Sequence, residues 1–146
     1  MSTTPDTRGA AQSVADLPEH LLAMWQADIT ALSQVKMHGP MVELILPLST
    51  LTSKFVSVFV KPHHEGGWWV HDNNYLETDA YYVGDEASTA DHGHRLQEEY
   101  DVSCYLADGQ AVFFKHITDP ALLTSAVLDM AQFIQLSVNL AYLEAA

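Results

Sequence analysis

Residues 102–117 read VSCYLADGQAVFFKHI, and Asp108-Gly109 at their centre decides how the stretch folds. Two β-rich runs joined by two residues that both tolerate positive φ are the signature of a type I′ hairpin, whose twist matches that of the flanking strands. The turn sets the register: Ala107 faces Gln110, Leu106 faces Ala111, Cys104 faces Phe113 and Val102 faces Lys115. Cys104 then belongs to an apolar row, where a thiol is inert. Tyr105, Val112 and Phe114 lie on the opposite face. One more pair in the same register sets Asp101 across from His116, an expected strand-end ion pair rather than a catalytic dyad.

Downstream, Asp119 is placed to cap a helix with Pro120 in its first turn, and that helix is expected over 121–143. Its length suits a membrane span, but Ser125, Asp129, Gln132, Gln135 and Asn139 put a polar group in nearly every turn, which hydrocarbon would leave unsatisfied. A core helix, or a helix that pairs two copies, fits better. Upstream, β-rich runs at 41–46, 54–61 and 68–71, broken by Pro47 and by 62–67, predict three strands in an antiparallel meander. Residues 73–91 have no steady period and read as loop, entering a weak helix over 87–100 that carries Leu96 and Tyr100 inward. At the other end, Asp16 and Glu19 have capping-box spacing, Pro18 suits a first turn, and Leu21, Trp25, Ile29 and Leu32 recur at helical spacing to about residue 35. Residues 1–15 are small and polar and read as a disordered tail. The expectation is one α+β domain over 16–146, in the order α-β-β-β-α-β-β-α, with a mainly antiparallel sheet.

The 146 residues carry 19 acidic and 6 basic side chains, a formal charge of −13. So few cations, spread from Arg8 to Lys115, make no phosphate-neutralising face, so direct nucleic-acid binding is disfavoured. The single Cys104 and the lack of a basic stretch followed by an apolar run at the start lead us to expect a reducing, cytoplasmic setting. The charge is concentrated. Between positions 65 and 108, 11 acids stand against one base, Arg95. Glu65, Asp72, Glu77, Asp79, Asp85, Glu86, Asp91, Glu98 and Glu99, with Trp68 and Trp69, form the expected interaction surface, and its natural partner is a basic protein.

Eight histidines invite a metal reading, for which His71, Asp72, His92 and His94 are the candidate ligands. Spacing opposes it: His92 and His94 at i and i+2 diverge on a helix, and HExxH is absent. His63-His64 reads as part of a turn. Neither a GxSxG elbow nor a GxxxxGK[ST] loop is present, so Gly66-Gly67 also reads as a turn and no cofactor is expected.

The succession MVELILPL, KFVSVFVK, GGWWVHDNN, an acidic linker, RLQEEYDVSCYLADGQAVFFKHI and AVLDMAQFIQLSVNL resembles the bacterial and phage domain of unknown function 1828 over residues 20–140. The resemblance implies a home in bacteria, prophages or other mobile elements, and carries no catalytic residue with it. The leading expectation is a non-enzymatic acidic interaction protein of phage or mobile-element type, an inhibitor that presents nucleic-acid-like charge to a basic host or defence protein. The alternative is a metal-dependent hydrolase or metal-binding domain at His71, Asp72, His92 and His94; a third reading is a homodimeric module joined through the C-terminal helix.

Overall fold

Asp108 and Gly109 adopt φ of 53° and 82°, and the strands they join pair in the expected register, Ala107 with Gln110, Leu106 with Ala111 and Cys104 with Phe113. The computed structural model describes residues 18–24, 26–28, 31–78, 80–81 and 86–145. The chain divides into two compact units, Met1–Ser33 and Gln34–Ala146, a boundary well inside the domain expected to begin at residue 16. The first unit is helical over 18–24, 26–28 and 31–32, in line with its apolar spacing; Asp16 with its expected cap, Trp25, Ile29 and the expected tail at 1–15 lie outside the described residues.

The second unit holds strands β1 (Gln34–His38), β2 (Met41–Ser49), β3 (Phe55–Pro62) and β4 (Trp68–His71), helix α1 (Glu86–Tyr100), strands β5 (Ser103–Ala107) and β6 (Gln110–Ile117), and helix α2 (Leu123–Ala145). The protein is α+β. Its six strands form one antiparallel sheet in the order β1-β2-β3-β4-β6-β5, so the hairpin docks on β4 through its second strand. β1 is an addition to the expected order. Val35, expected at the end of a helix, pairs with Leu44 across a hairpin turned by Gly39 and Pro40. β1 reads QVKMH, whose polar–apolar alternation covers only five residues, all exposed, and Val35 also continues the helical spacing that precedes it. β2 also runs past Pro47, where its pairing with β3 is irregular between Ile45 and Ser49, the kind of position at which a strand tolerates proline.

Alternate residues of the strands build the core: Leu46 of β2, Val56 and Val58 of β3, Val70 of β4, and Ala111 and Phe113 of β6. They meet Met130, Ala131, Phe133, Ile134 and Val138 of α2, all without exposed surface. Pro120–Ala145 is long and apolar enough to cross a bilayer by composition, yet its buried stripe is part of this core. Asp119 accepts from Ala121 N at 3.0 Å, as expected of the cap, although the first turn, Pro120–Leu122, is 3-10. Of the two roles expected for this helix, its buried stripe fits that of a core helix, packed on the sheet and on α1. Leu122, Tyr142 and Leu143 remain exposed near its ends. α1 packs on α2 and turns Leu96 and Tyr100 toward the core as expected. Gly93 lets it approach Phe113, since a Cβ there would lie 3.1 Å from the ring.

Beyond His71 two side chains replace the missing continuation of β4. The Asp72 carboxylate accepts from Phe113 N on β6 at 2.9 Å, and from Asn74 N and Leu76 N, each at 3.2 Å. On the other flank the Tyr81 hydroxyl accepts from Ser57 N of β3 at 3.0 Å and donates to Ser57 O. These bonds satisfy backbone groups that the short strand leaves unpaired.

Candidate functional site

The site begins where β3 ends. After Pro62 the chain reverses through a turn in which Gly66 N donates to His63 O at 2.9 Å and His63 N donates to Gly67 O at 3.0 Å. Gly67 has φ of 72°, and a Cβ on it would lie 2.3 Å from the Ile117 carbonyl oxygen, so only glycine lets the turn rest on the end of β6. The close approach brings His116 to the turn, where its Nε2 donates to Gly66 O at 2.8 Å.

On the sheet face opposite α2, strand alternation then aligns a row of rings. His63 stacks on Trp69 at 5.1 Å, Trp69 stacks on Phe114 at 3.9 Å with 11° between planes, and Tyr105 meets Trp69 edge-on at 6.0 Å. His64 and His116 stand 4.3 and 4.6 Å from the His63 ring. Lys61 Nζ lies 5.2 Å from the Trp69 centroid, within cation–π range. Lys61, Pro62, His63, His64, Trp69 and Tyr105 line an open hollow of about 470 Å³. Tyr105 is 53% exposed, and His63 and Trp69 are half-buried. Desolvation, then the neighbouring His64 and His116, hold the His63 imidazole below its ordinary pKa.

The residues expected to form the acidic surface have different fates. Glu65 is exposed on the turn just described, and Asp91, Glu98 and Glu99 are exposed along α1. Asp72 is a correction: it has no exposed surface and serves the fold, because its carboxylate is consumed by three backbone donors. Glu77 is half-buried and accepts from Ala111 N at 3.2 Å, so it too helps hold the loop to the hairpin. Trp68 and Trp69 are both half-buried. Asp79 and Asp85 lie outside the described residues, and for Glu86 only the helical backbone is described.

The candidate metal ligands do not converge. His71 is buried against Phe59 with ring centroids 5.7 Å apart, and its Nδ1 accepts from Asn73 N at 3.0 Å, so the ring is neutral with its proton on Nε2. Burial, then the charge of Lys61, lowers its pKa to about 4. Burial pushes the Asp72 carboxyl up to about 7 against the pull of the backbone donors. His92 Nε2 lies 3.2 Å from Glu144 Oε2, a close contact without hydrogen-bond alignment, and exposed His94 bonds to Gln97 through Nδ1 at 2.8 Å. Among the described residues the group whose ligand atoms do gather is His63, His64 and Glu65.

The remaining chemistry is structural. Asp101 is not opposite His116, because the β5–β6 pairing ends at Ser103 with Phe114 and Asp101 turns away with φ of 53°. His116 pairs instead with Trp69 of β4, and Lys115 Nζ donates to the carbonyls of Tyr100 and Asp101. Burial raises the Cys104 pKa, in keeping with an inert thiol in the apolar row. Glu43 accepts from Ser57 Oγ at 2.6 Å and binds His38 Nε2 at 2.8 Å, so a carboxylate separates hydroxyl from imidazole and no serine–histidine nucleophile forms. Compared with models of known families, with curated proteins and with solved structures, the chain gives no match in any of the three.

Proposed function

We propose that the protein is a non-enzymatic interaction module that takes a basic protein segment on the aromatic face around Trp69, and that it acts as an inhibitor of phage or mobile-element type. What supports the reading is the ring row His63–Trp69–Phe114 with Tyr105, left partly open on a rigid sheet in a chain of charge −13. Aromatic faces stack guanidinium groups, and Trp and Tyr anchors dominate interface energetics. The net charge draws a cationic partner from a distance, and exposed Glu65 follows His64 of the hollow's lining in the chain. The exposed acids of α1 belong to this long-range field.

Capture from a bacterial lysate on the immobilised full chain tests the reading. At about 50 mM salt the chain is expected to retain a basic protein, to release it near 500 mM where the Debye length is only a few ångströms, and to lose it in W69A and Y105A. Retention of nothing basic, or retention unchanged by salt and by both substitutions, overturns the proposal.

A further inference from the structure

We propose that His63, His64 and Glu65, with His116 beside them, form a surface site for a divalent transition metal such as Zn²⁺ or Ni²⁺. One ligand atom from each of the first three residues lies within 4.8 Å of the other two. Two donors bound to one tetrahedral zinc stand about 3.4 Å apart, given metal–ligand distances of about 2.0–2.1 Å. His64 and Glu65 are exposed, so rotation of their side chains closes that difference without moving the backbone. The fourth position has a donor at hand. His116 gives its Nε2 proton to the Gly66 carbonyl, which leaves Nδ1 with the free lone pair, and its ring centroid is 4.6 Å from that of His63.

The chemistry suits imidazole-preferring metals. Three imidazoles and a carboxylate match zinc and nickel better than magnesium or calcium, which prefer oxygen shells. The Gly66 carbonyl bond that orients His116 is the kind of outer-shell contact that fixes ligating histidines. His63 Nδ1 accepts from Glu65 N at 3.2 Å, a long bond that an ion at that nitrogen replaces. The opposing charge is Lys61, whose ammonium is drawn over Trp69, and Glu65 supplies the compensating anion. An ion held here lies on the rim of the Trp69 hollow, yet the proposal does not rest on the interaction reading, because the ligands are all this chain's own.

The test uses the full chain, stripped with chelator and dialysed, titrated with Zn²⁺ by calorimetry and with Ni²⁺ by tryptophan fluorescence. The expected result is saturable binding of one ion per chain, with quenching by Ni²⁺ because Trp69 stacks on His63. H63Q and the exposed double variant H64Q/E65Q are each expected to weaken Zn²⁺ binding by about tenfold or more, and H116Q by less. H92Q/H94Q leaves it unchanged. Circular dichroism of H64Q/E65Q keeps loss of binding separate from loss of fold. No saturable binding by the native chain, or binding that survives H64Q/E65Q and falls in H92Q/H94Q, overturns the proposal.

Discussion

The two ends of β4 carry the same kinds of side chain and use them in opposite ways. At its start, His63, His64 and Glu65 sit on a turn, half-buried or exposed, with their ligand atoms gathered and the His63 Nδ1 accepting only the Glu65 N–H at 3.2 Å. At its finish, His71 and Asp72 are 2% and 0% exposed, and the Asp72 carboxylate is committed to backbone groups of its own loop and of β6. Residue type alone therefore does not separate ligand from scaffold; what each group has left to give does. A carboxylate whose oxygens already accept from Phe113, Asn74 and Leu76 has traded coordination for the closure of a short strand.

The comparison breaks first at Asp72. Asp72→Ala leaves three N–H donors without their acceptor and is expected to cost about 4 kcal/mol in urea unfolding. A loss within 1 kcal/mol or so would mean that the loop is held by something else. At the opposite end Gly67→Ala drives a Cβ to 2.3 Å from a backbone carbonyl at positive φ, and is expected to cost about 3 kcal/mol, whereas Gly66→Ala, with nothing within 4 Å, costs about 1 through φ alone.

The pH dependence sharpens the same contrast, because His71 and Asp72 titrate in opposite senses. Asp72 has its pKa raised to about 7 in the fold, so its contribution is full below its unfolded pKa near 3.8 and is lost as pH rises through 7. His71 has its pKa lowered to about 4, so its contribution is full above 6.5 and is lost as pH falls through 4. From pH 5 to 7 the first removes about 2 kcal/mol and the second adds about as much. These two contributions should thus nearly cancel across that window, and Asp72→Asn should gain about 2 kcal/mol relative to the native chain on going from pH 5 to 7. A flat difference between the two chains would contradict the pairing. The smallest effects belong to the exposed histidines: His64→Gln and His94→Gln should each change stability by no more than about 0.5 kcal/mol.

How much of this was legible in the sequence follows from the range of each interaction. The Asp108-Gly109 hairpin, its register and the Asp119 cap are local, and their turn and capping chemistry was readable in a few residues. β1 was not, because its alternation, QVKMH, runs for only five residues and Val35 also continues a helical spacing. The aromatic row was half visible. Tyr105 and Phe114 shared a face by the hairpin register, but nothing local says that β6 docks on β4 and brings Trp69 and His63 to them. Asp72 was misplaced on the acidic surface because charge was counted along the chain, and its burial depends on bonds to Phe113, 41 residues away.

The central claim, that the working surface is the open face at the start of β4, is tested most directly by amide hydrogen exchange on the full chain with and without the basic protein it retains at low salt. Added protection is predicted at 61–69, 103–107 and 112–116. Protection confined to α1 or to β1, or no retained partner to add, would contradict it.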